Sequence, residues 1–252
     1  MPPFPPRIRA AAIHLAIGLT VAAIAFACVR YAWYPDGLFE ATSSIRPMAL
    51  LAAVLLVAGP AATLAVYVPG KWGLRFDLVV IGLLQLAALA FALWTFFEAR
   101  PVYVVFVKDR FELVRNGDFP DSELARASAS PYIKLPLAGP AVVGARLPRE
   151  RIELERIMFL APTGIDLHHM PQHYVAYDAV RSEAKAHAER LEKLRALNPA
   201  ERARIDALPR ETGVPEESLA FLPIRAGDRD FTVLIDSRSA DVLRILALRP
   251  WE

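Results

Sequence analysis

The sequence of 252 residues contains a single cysteine, Cys28. One thiol cannot form a disulfide within the chain, so no disulfide framework holds any part of this fold. Because disulfide use is the usual sign of an oxidising compartment, the cysteine count leaves the compartment of the protein open.

Charged residues are scarce in the first part of the chain. Residues 1–97 hold six Lys or Arg and three Asp or Glu, whereas residues 98–252 hold 23 and 24. The second part is nearly neutral, which argues against a nucleic-acid partner, since such a partner requires a strongly basic face. The composition therefore predicts two regions, an apolar one over 1–97 and a domain of ordinary soluble composition over 98–252.

The sequence also lacks the short motifs that mark common reactions. It has no nucleophile elbow of the form Gly-x-Ser-x-Gly, no phosphate loop and no dinucleotide fingerprint. Its acidic residues are scattered along charged segments, where a solvated face is the ordinary explanation. We therefore predict that the protein is not an enzyme and carries no cofactor.

What the first region does contain is three long apolar stretches, over 8–29, 48–68 and 78–97. The third, LVVIGLLQLAALAFALWTFF, has no charge over about twenty residues, enough to cross the roughly 30 Å core of a bilayer as a helix. Gly59-Pro60 is predicted to kink the second, with neighbouring helices satisfying the freed carbonyl. His14 and Gln85 are polar at membrane depth, and we predict a packing role for His14 and an inter-helix hydrogen bond for Gln85.

Basic residues near the ends of these stretches indicate the orientation of the chain. Two pairs, Arg7 with Arg9 and Lys71 with Arg75, fall on one side, while Arg30 and Arg46 share the other side with two acids. The positive-inside rule then favours a cytoplasmic N-terminus. Three spans place the domain over 98–252 outside, which in a bacterium with an outer membrane is the periplasm.

The second region reads as a small α+β domain with an antiparallel sheet. Two β-branched and aromatic runs, 101–107 and 110–114, flank a polar pair and predict a hairpin. Three more strand-like runs, 221–225, 231–236 and 242–248, are separated by turns and predict an antiparallel meander. We expect the hairpin and the meander to share one sheet, with helices covering a face.

Between these strands the pattern predicts helices and irregular chain. A stripe of apolar residues predicts one helix over 177–197, and Asn198-Pro199-Ala200-Glu201 predicts the start of a second, which ends near 208–209. Residues 150–160 fit a short helix with ambiguous apolar spacing. Residues 116–148 are rich in Pro, Gly, Ala and Ser and are predicted to be irregular.

One cluster has residue types that bind metals. His168, His169 and His173 lie within six residues, and three imidazoles are able to ligate zinc or copper. Pro171 breaks helical register between them, and no matching pattern occurs elsewhere, so structural roles are favoured. A membrane-anchored periplasmic metalloenzyme that uses this cluster is the alternative hypothesis.

Two blocks of the sequence resemble those of a known family. They are Asp77-Leu-Val-Val-Ile-Gly-Leu-Leu-Gln-Leu-Ala-Ala-Leu-Ala90, which follows Gly59-Pro60, and Ala99-Arg-Pro-Val-Tyr-Val-Val-Phe-Val-Lys-Asp-Arg-Phe111, and both resemble the TfpX/TfpZ family of type IV pilin accessory proteins. The closing Phe-Thr-Val-Leu-Ile-Asp and Leu-Arg-Pro-Trp251 are similar to the C-terminus of that family. The resemblance implies a multi-pass protein of the bacterial inner membrane that binds and stabilises a type IV pilin in a chaperone-like, non-enzymatic way, with membrane lipid and other pilus-assembly proteins as further partners.

Four residues are candidates for contact with the pilin. Arg100, Tyr103, Asp109 and Arg110 follow the third apolar stretch directly, where the membrane and exterior surfaces of a client would meet. The competing interpretation is structural: Asp109 and Arg110 form the hairpin turn, and Arg100 anchors the end of the helix.

Overall fold

The computed structural model describes residues 5–42, 44–227 and 229–251. The chain forms two compact units. One unit holds the three apolar stretches, and the other holds Trp33–Thr42 together with the chain from Ala99 onward.

Three helices in the described chain are long and apolar enough to cross a membrane: Pro6–Trp33 (first span), Ile45–Val66 (second span) and Leu74–Glu98 (third span). The first span consists of α1 (Pro6–Ala27) and the π-helical turn Cys28–Trp33. A short helix, α2 (Leu38–Ala41), follows it. The second span consists of α3 (Ile45–Ala53), the π-helical turn Val54–Ala58 and α4 (Gly59–Val66), and the third span is α5 (Leu74–Glu98). The prediction of three long apolar helices is confirmed, and the boundaries of each helix differ by a few residues from the predicted stretch.

The second unit contains one eight-stranded sheet. Its strands are β1 (Pro101–Val107), β2 (Arg110–Arg115), β3 (Ala141–Ala145), β4 (Tyr174–Ala176), β5 (Glu189–Arg190), β6 (Leu219–Ala226), β7 (Arg229–Asp236) and β8 (Val242–Leu246). The order is β4-β3-β1-β2-β6-β7-β8, and β5 pairs with β6. The predicted α+β class, the β1–β2 hairpin and the β6–β7–β8 meander are confirmed. The sheet is mixed, because β3 runs parallel to β1 and β6 runs parallel to β2.

The hairpin begins three residues after the third span ends. Val102 to Phe106 are buried, so β1 is covered on both faces, as a near-continuous apolar run predicts. Lys108 adopts a positive φ of 59°, and the Asp109 amide donates to the Val107 carbonyl at 2.8 Å to close the turn.

Besides α2, the described residues of this unit form five α-helices: α6 (Asp121–Arg126), α7 (Arg151–Leu160), α8 (Arg181–His187), α9 (Leu191–Leu197) and α10 (Arg202–Thr212). One apolar core packs Ile157 of α7 and the buried Met170 against β1 and β3. A second core packs α9 and α10 against β6, β7 and β8 through residues such as Leu194, Ile205 and Phe221. The prediction that helices cover the sheet is therefore confirmed.

The single helix predicted over 177–197 is wrong. The chain forms a 3-10 turn at Tyr177–Val180, then α8, and then breaks at Ala188, whose backbone is extended. Residues Glu189 and Arg190 pair with Phe221 and Ala220 of β6 before α9 begins. Because this pairing satisfies backbone groups that a helix would otherwise satisfy, the apolar stripe is divided between two short helices. The next predicted helix is confirmed as α10, which runs through Pro209 to Thr212.

The connection between the first two spans packs onto the sheet. Trp33–Thr42, here called the strap, places Tyr34, Leu38 and Phe39 in buried positions, with the Tyr34 and Phe39 rings edge to face at 6.5 Å. The backbone of Gly37 lies against β8, so that a Cβ there would stand 2.2 Å from the Ile245 carbonyl oxygen. The strap is thus part of the core of the second unit.

Substitution of Gly37 by valine should therefore displace the strap. A real Cβ cannot approach a backbone oxygen so closely, and overpacking of this kind typically costs about 1–3 kcal/mol. At about 2–4 °C per kcal/mol for a domain of this size, we expect the melting temperature of the purified full chain in detergent to fall by about 2–12 °C. The same substitution at Gly82, where an added Cβ meets no atom within 4 Å, is the control. An unchanged melting temperature for G37V would contradict the packing described here.

A buried ionic network joins α6, α7 and the segment after α7. Arg156 donates to both carboxylate oxygens of Glu123, at 2.6 and 3.1 Å, and to both oxygens of Glu153, at 2.6 and 3.0 Å. Gln172 donates to Glu123 at 2.8 Å, and His173 lies 3.1 Å from Glu153. The Glu123 side chain is only 2% exposed, and its charge is stabilised chiefly by Arg156 and by the Gln172 amide.

The same contacts set the acidity of both carboxylates. Hydrogen bonding from Arg156, reinforced by His173 and opposed by burial, lowers the pKa of Glu153 to about 2. Burial acts to raise the pKa of Glu123, but hydrogen bonds from Arg156 and Gln172 outweigh burial and lower it. Both pKa values therefore lie below the ordinary value of a glutamate, so the folded domain favours the carboxylate form of each group.

Candidate functional site

Three polar side chains, one from each span, meet inside the unit that holds the three spans. Nδ1 of His14 lies 2.6 Å from the Thr63 hydroxyl oxygen, and Nε2 of His14 is hydrogen-bonded to the side-chain oxygen of Gln85. A polar group in hydrocarbon is costly unless it is paired, so these three residues hold the spans together at one point. The inter-helix bond predicted for Gln85 is confirmed. The interpretation of His14 as a simple packing residue is incomplete, because it is the link between the other two spans.

Gln85 also supports the irregular turn in the second span. Its amide nitrogen lies 3.3 Å from the Val54 carbonyl oxygen and 3.5 Å from the Leu55 carbonyl oxygen, at the beginning of the π-helical turn. Pro60 has no N–H to offer a preceding carbonyl, and the helix widens just before it. A donor from a neighbouring helix at this proline is what the sequence predicted.

Two glycines allow the spans to approach this closely. A Cβ at Gly18 would lie 2.6 Å from the Leu55 carbonyl oxygen, and one at Gly59 would lie 1.9 Å from the Gln85 amide nitrogen. Gly18 is therefore a small-residue contact that lets the backbones of the first two spans approach each other. Gly59 makes room for the amide that joins the polar cluster.

A groove of about 920 Å³ lies over this cluster, between the first and third spans. His14, Thr63 and Gln85 are its polar residues at mid-depth, and Arg9 lines it near the start of the first span. Its apolar lining recurs at helical spacing and includes Ile13, Ile17, Val21, Leu78, Leu86 and Leu89. Ile13, Ile17 and Leu86 are 54%, 60% and 61% exposed, so the groove opens sideways, where a bilayer would place lipid or a partner helix. This is our candidate functional site.

Two of the sequence-predicted contact residues are buried in the second unit. Arg100 is 2% exposed, and its Nη2 donates to the Pro136 carbonyl at 3.4 Å. Tyr103 is also 2% exposed, and its hydroxyl donates to the Tyr132 carbonyl at 2.8 Å. Burial, with a smaller contribution from Tyr132, raises the pKa of Tyr103 to about 12. In the isolated chain these side chains therefore serve the packing of the domain.

The other two candidates lie at the hairpin. The Asp109 side chain is exposed at the turn, 3.9 Å from Nη1 of Arg110. Arg110 donates through Nε to Glu112 at 2.9 Å and lies over the Trp251 ring at 6.0 Å. Burial raises the pKa of Glu112, while the neighbouring Arg110 opposes this effect. The contact of these four residues with a pilin stays a prediction.

The three histidines of the second unit do not converge. The rings of His168 and His169 are tilted by 49° with centroids 4.0 Å apart, while His173 is directed to Glu153 in the ionic network. Burial, and then the neighbouring His169, lower the pKa of His168 to about 4. Within residues 5–42, 44–227 and 229–251, no group of three or more His, Cys, Asp or Glu is arranged to hold a metal ion.

Sequence reasoning missed Thr63 and the groove itself. A lone threonine in an apolar span is common, since its hydroxyl often bonds to its own helix, so residue type alone did not single it out. The available signal was its partnership with His14 and Gln85, because three polar residues on three spans tend to meet in the bundle interior.

Sequence comparison finds relatives whose names state a role in fimbrial assembly. The chain is 26% identical to the fimbrial assembly protein of serogroup I from Dichelobacter nodosus over 233 residues, which cover 89% of this chain and 88% of that protein. It is 24% identical, with the same coverage, to the fimbrial assembly protein of serogroup E1 from the same organism. A third relative, from serogroups C1 and C2, is 29% identical over 119 residues, or 46% of this chain and 89% of that protein.

No family model and no solved structure matches the chain. Over most of its length, the chain is similar to proteins named for fimbrial assembly.

Proposed function

We propose that this protein is an inner-membrane accessory factor for type IV pilus assembly, of the TfpX/TfpZ type, that binds a pilin and stabilises it before it enters the fibre. The role is chaperone-like and involves no reaction. The fimbrial assembly relatives support the assembly role. The observation that carries pilin binding is the open groove between the first and third spans.

The groove suits an apolar helix that lies in the membrane. Its lining spans about four turns of the first span and three of the third, and its walls are aliphatic. Helices associate in lipid by close packing, so a long concave apolar surface offers a partner helix the contacts that lipid chains fill poorly. The anchoring helix of a membrane-held pilin is the client that we assign to it.

The polar cluster has a supporting role in this proposal. His14, Thr63 and Gln85 satisfy one another, so they fix the angle between the spans and keep the groove open on one side. Arg9 is the charged residue among those lining the groove, at the end that we place in the cytoplasm. The second unit then lies in the periplasm, where the globular part of the pilin would meet it.

Photocrosslinking from the third span tests this assignment. A photoreactive residue at Leu86, which lines the groove, should give a covalent adduct to the pilin in living cells. Leu84 is the matched control, because it is 66% exposed against 61% for Leu86 but lies about 200° away around the helix and outside the groove. Products would be identified by mass spectrometry. Equal pilin adducts from both positions, or lipid adducts alone, would count against groove binding.

A further inference from the structure

One short turn of 3-10 helix, Leu167–His169, packs against strands β1 and β2 of the second unit. The Leu167 side chain is 2% exposed and that of Met170 is 0% exposed, and both belong to the apolar core beside β1. Asp166 begins the turn, because its carboxylate accepts from the Leu167 N–H at 2.7 Å. Residues 166–170, here called the histidine turn, therefore hold part of this core on a single turn of chain.

One ring nitrogen in the histidine turn must be unprotonated. The Asp166 N–H donates to Nδ1 of His169 at 3.3 Å and so closes the turn upon itself. A neutral imidazole has one nitrogen that accepts a hydrogen bond, whereas a protonated imidazole has two that donate. Protonation of His169 therefore removes this hydrogen bond and directs two N–H groups toward each other.

A second imidazole lies beside the first. The rings of His168 and His169 have centroids 4.0 Å apart, and both residues are half-buried. Two positive charges at such a distance repel each other, and more strongly in a partly buried site than in water. Arg110 of β2 and Arg225 of β6 add further positive charge that acts on His168. These neighbours therefore favour the neutral form of the rings.

Acidic groups around the histidine turn act in the opposite direction. Asp166 favours the charged form of both histidines, and Asp118, at the end of the turn that follows β2, favours that of His169. Glu112 of β2 is bonded to Arg110 at 2.9 Å, which offsets part of the positive charge there. Protonation of the two rings depends on the balance between these acids and burial.

Burial prevails at both rings. It is the largest cause that lowers the pKa of His168 to about 4, with the neighbouring His169 second, and it also lowers the pKa of His169. An exposed histidine titrates near pH 6.5, so an open turn would take up protons that the closed turn does not bind. The closed turn is therefore most stable above about pH 6.5, and it loses stability as the pH falls toward the lowered pKa values.

We propose that the histidine turn is a pH-sensitive switch, in which protonation of His168 and His169 opens the turn and uncovers Leu167 and Met170. The inference goes beyond the proposed function, because it concerns the second unit alone and holds whichever partner the protein binds. Each histidine that is neutral in the closed turn and charged in the open turn favours opening by about tenfold for each pH unit below about 6.5. The open form exposes apolar surface that the closed form keeps in the core.

Oxidation of methionine by hydrogen peroxide tests this proposal in the purified full chain in detergent. The reaction converts the thioether to a sulfoxide and requires access to the sulfur. Met170 is 0% exposed and reports opening of the turn, whereas Met158 is 69% exposed and is the control within the same molecule. The ratio of the Met170 rate to the Met158 rate, measured by mass spectrometry, should rise at least about tenfold from about pH 7 to about pH 5. Both carboxylates of the ionic network have lowered pKa values and stay largely ionised over this range, so they do not account for the rise.

Variants of the two histidines connect the rise to their protonation. His169→Asn keeps an oxygen that accepts the Asp166 N–H but does not titrate, so the rise should be smaller in this variant. His168→Gln should have the same effect, and the variant with both changes should give a ratio that is independent of pH. His187→Asn is the matched control, because His187 is exposed on α8. Using two single variants protects the test against one that fails to fold.

Far-ultraviolet circular dichroism of the same samples shows whether the opening is local. We expect the signal to be the same at both pH values, because the rest of the domain stays folded. A ratio of oxidation rates that does not change with pH would overturn the proposal. So would a rise that persists in the double variant, a rise that His187→Asn reduces equally, or a rise that appears only when the circular dichroism signal is lost.

Discussion

Replacing Gly82 by leucine should reduce the cellular level of the pilin to that of a strain lacking this protein. Gly82 lines the groove, and an added Cβ there meets no atom within 4 Å, so the new side chain projects into the space assigned to the pilin helix. Loss of only 1.4 kcal/mol of binding free energy is a tenfold loss of affinity. We therefore expect at least a tenfold fall in the pilin that copurifies with the protein.

The matched control is Ala87→Leu. Ala87 is exposed on the same helix but does not line the groove, so this variant adds similar bulk to another face. Leucine has a higher helix propensity than glycine, by up to about 1 kcal/mol. A loss of bound pilin in G82L would therefore not be explained by unfolding of the third span. Immunoblots of the pilin and of each variant would provide the measurement. Normal pilin levels with a well-expressed G82L protein would remove the groove from the mechanism.

Arg156→Met should destabilise the second unit by about 3–5 kcal/mol, the usual cost of removing one partner from a buried ion pair. The substitution keeps most of the side-chain volume but leaves the buried Glu123 carboxylate without its counter-ion. Thermal unfolding of the full chain in detergent would report the change. Arg151→Met is the control on the same helix, because Arg151 is 89% exposed and its pair with Glu155 lies in solvent.

The same network predicts how stability depends on pH. The folded-state pKa of Glu153 is about 2 and that of Glu123 is lowered, so each carboxylate contributes stability above its unfolded value of about 4.5. The contribution of Glu153 is lost as the pH falls from about 5 to about 2, and that of Glu123 is lost as the pH falls through its own lowered pKa. In R156M this acid sensitivity should be weaker than in the wild-type protein. Two results would contradict the role assigned to Arg156: an equal loss of thermal stability in R156M and R151M at neutral pH, or a pH dependence of stability in R156M that equals that of the wild-type protein.

The elements that the sequence predicted well are those decided by neighbours along the chain. The β1–β2 hairpin and the β6–β7–β8 meander have turns of a few residues and strand-like composition, so local pattern suffices. Strand β3 was missed because Ala141-Val-Val-Gly-Ala145 is weakly strand-like, and its place beside β1 depends on a parallel pairing with a distant segment. Gly144 there is required by packing, since a Cβ would meet Val180 at 2.5 Å.

The candidate site was predictable only in part for a similar reason. Length and apolarity located the spans, and Gln85 stood out because polar side chains are rare at that depth. The composition of a span, however, does not say which face of each helix turns inward. The meeting of His14 with Thr63, and the groove above them, depend on the rotation of three helices that are apolar on every side.

The strap makes the second unit discontinuous along the chain, because it precedes the second and third spans whereas the rest of the unit follows them. Gly37 lies against Ile245 of β8, and Tyr34, Leu38 and Phe39 are buried. Two helices that both cross a bilayer return the chain to the side from which it entered, so two crossings between the strap and β1 leave both parts of this domain on one side. Folding of the domain therefore ties the orientation of the first connection to that of the chain from Ala99 onward.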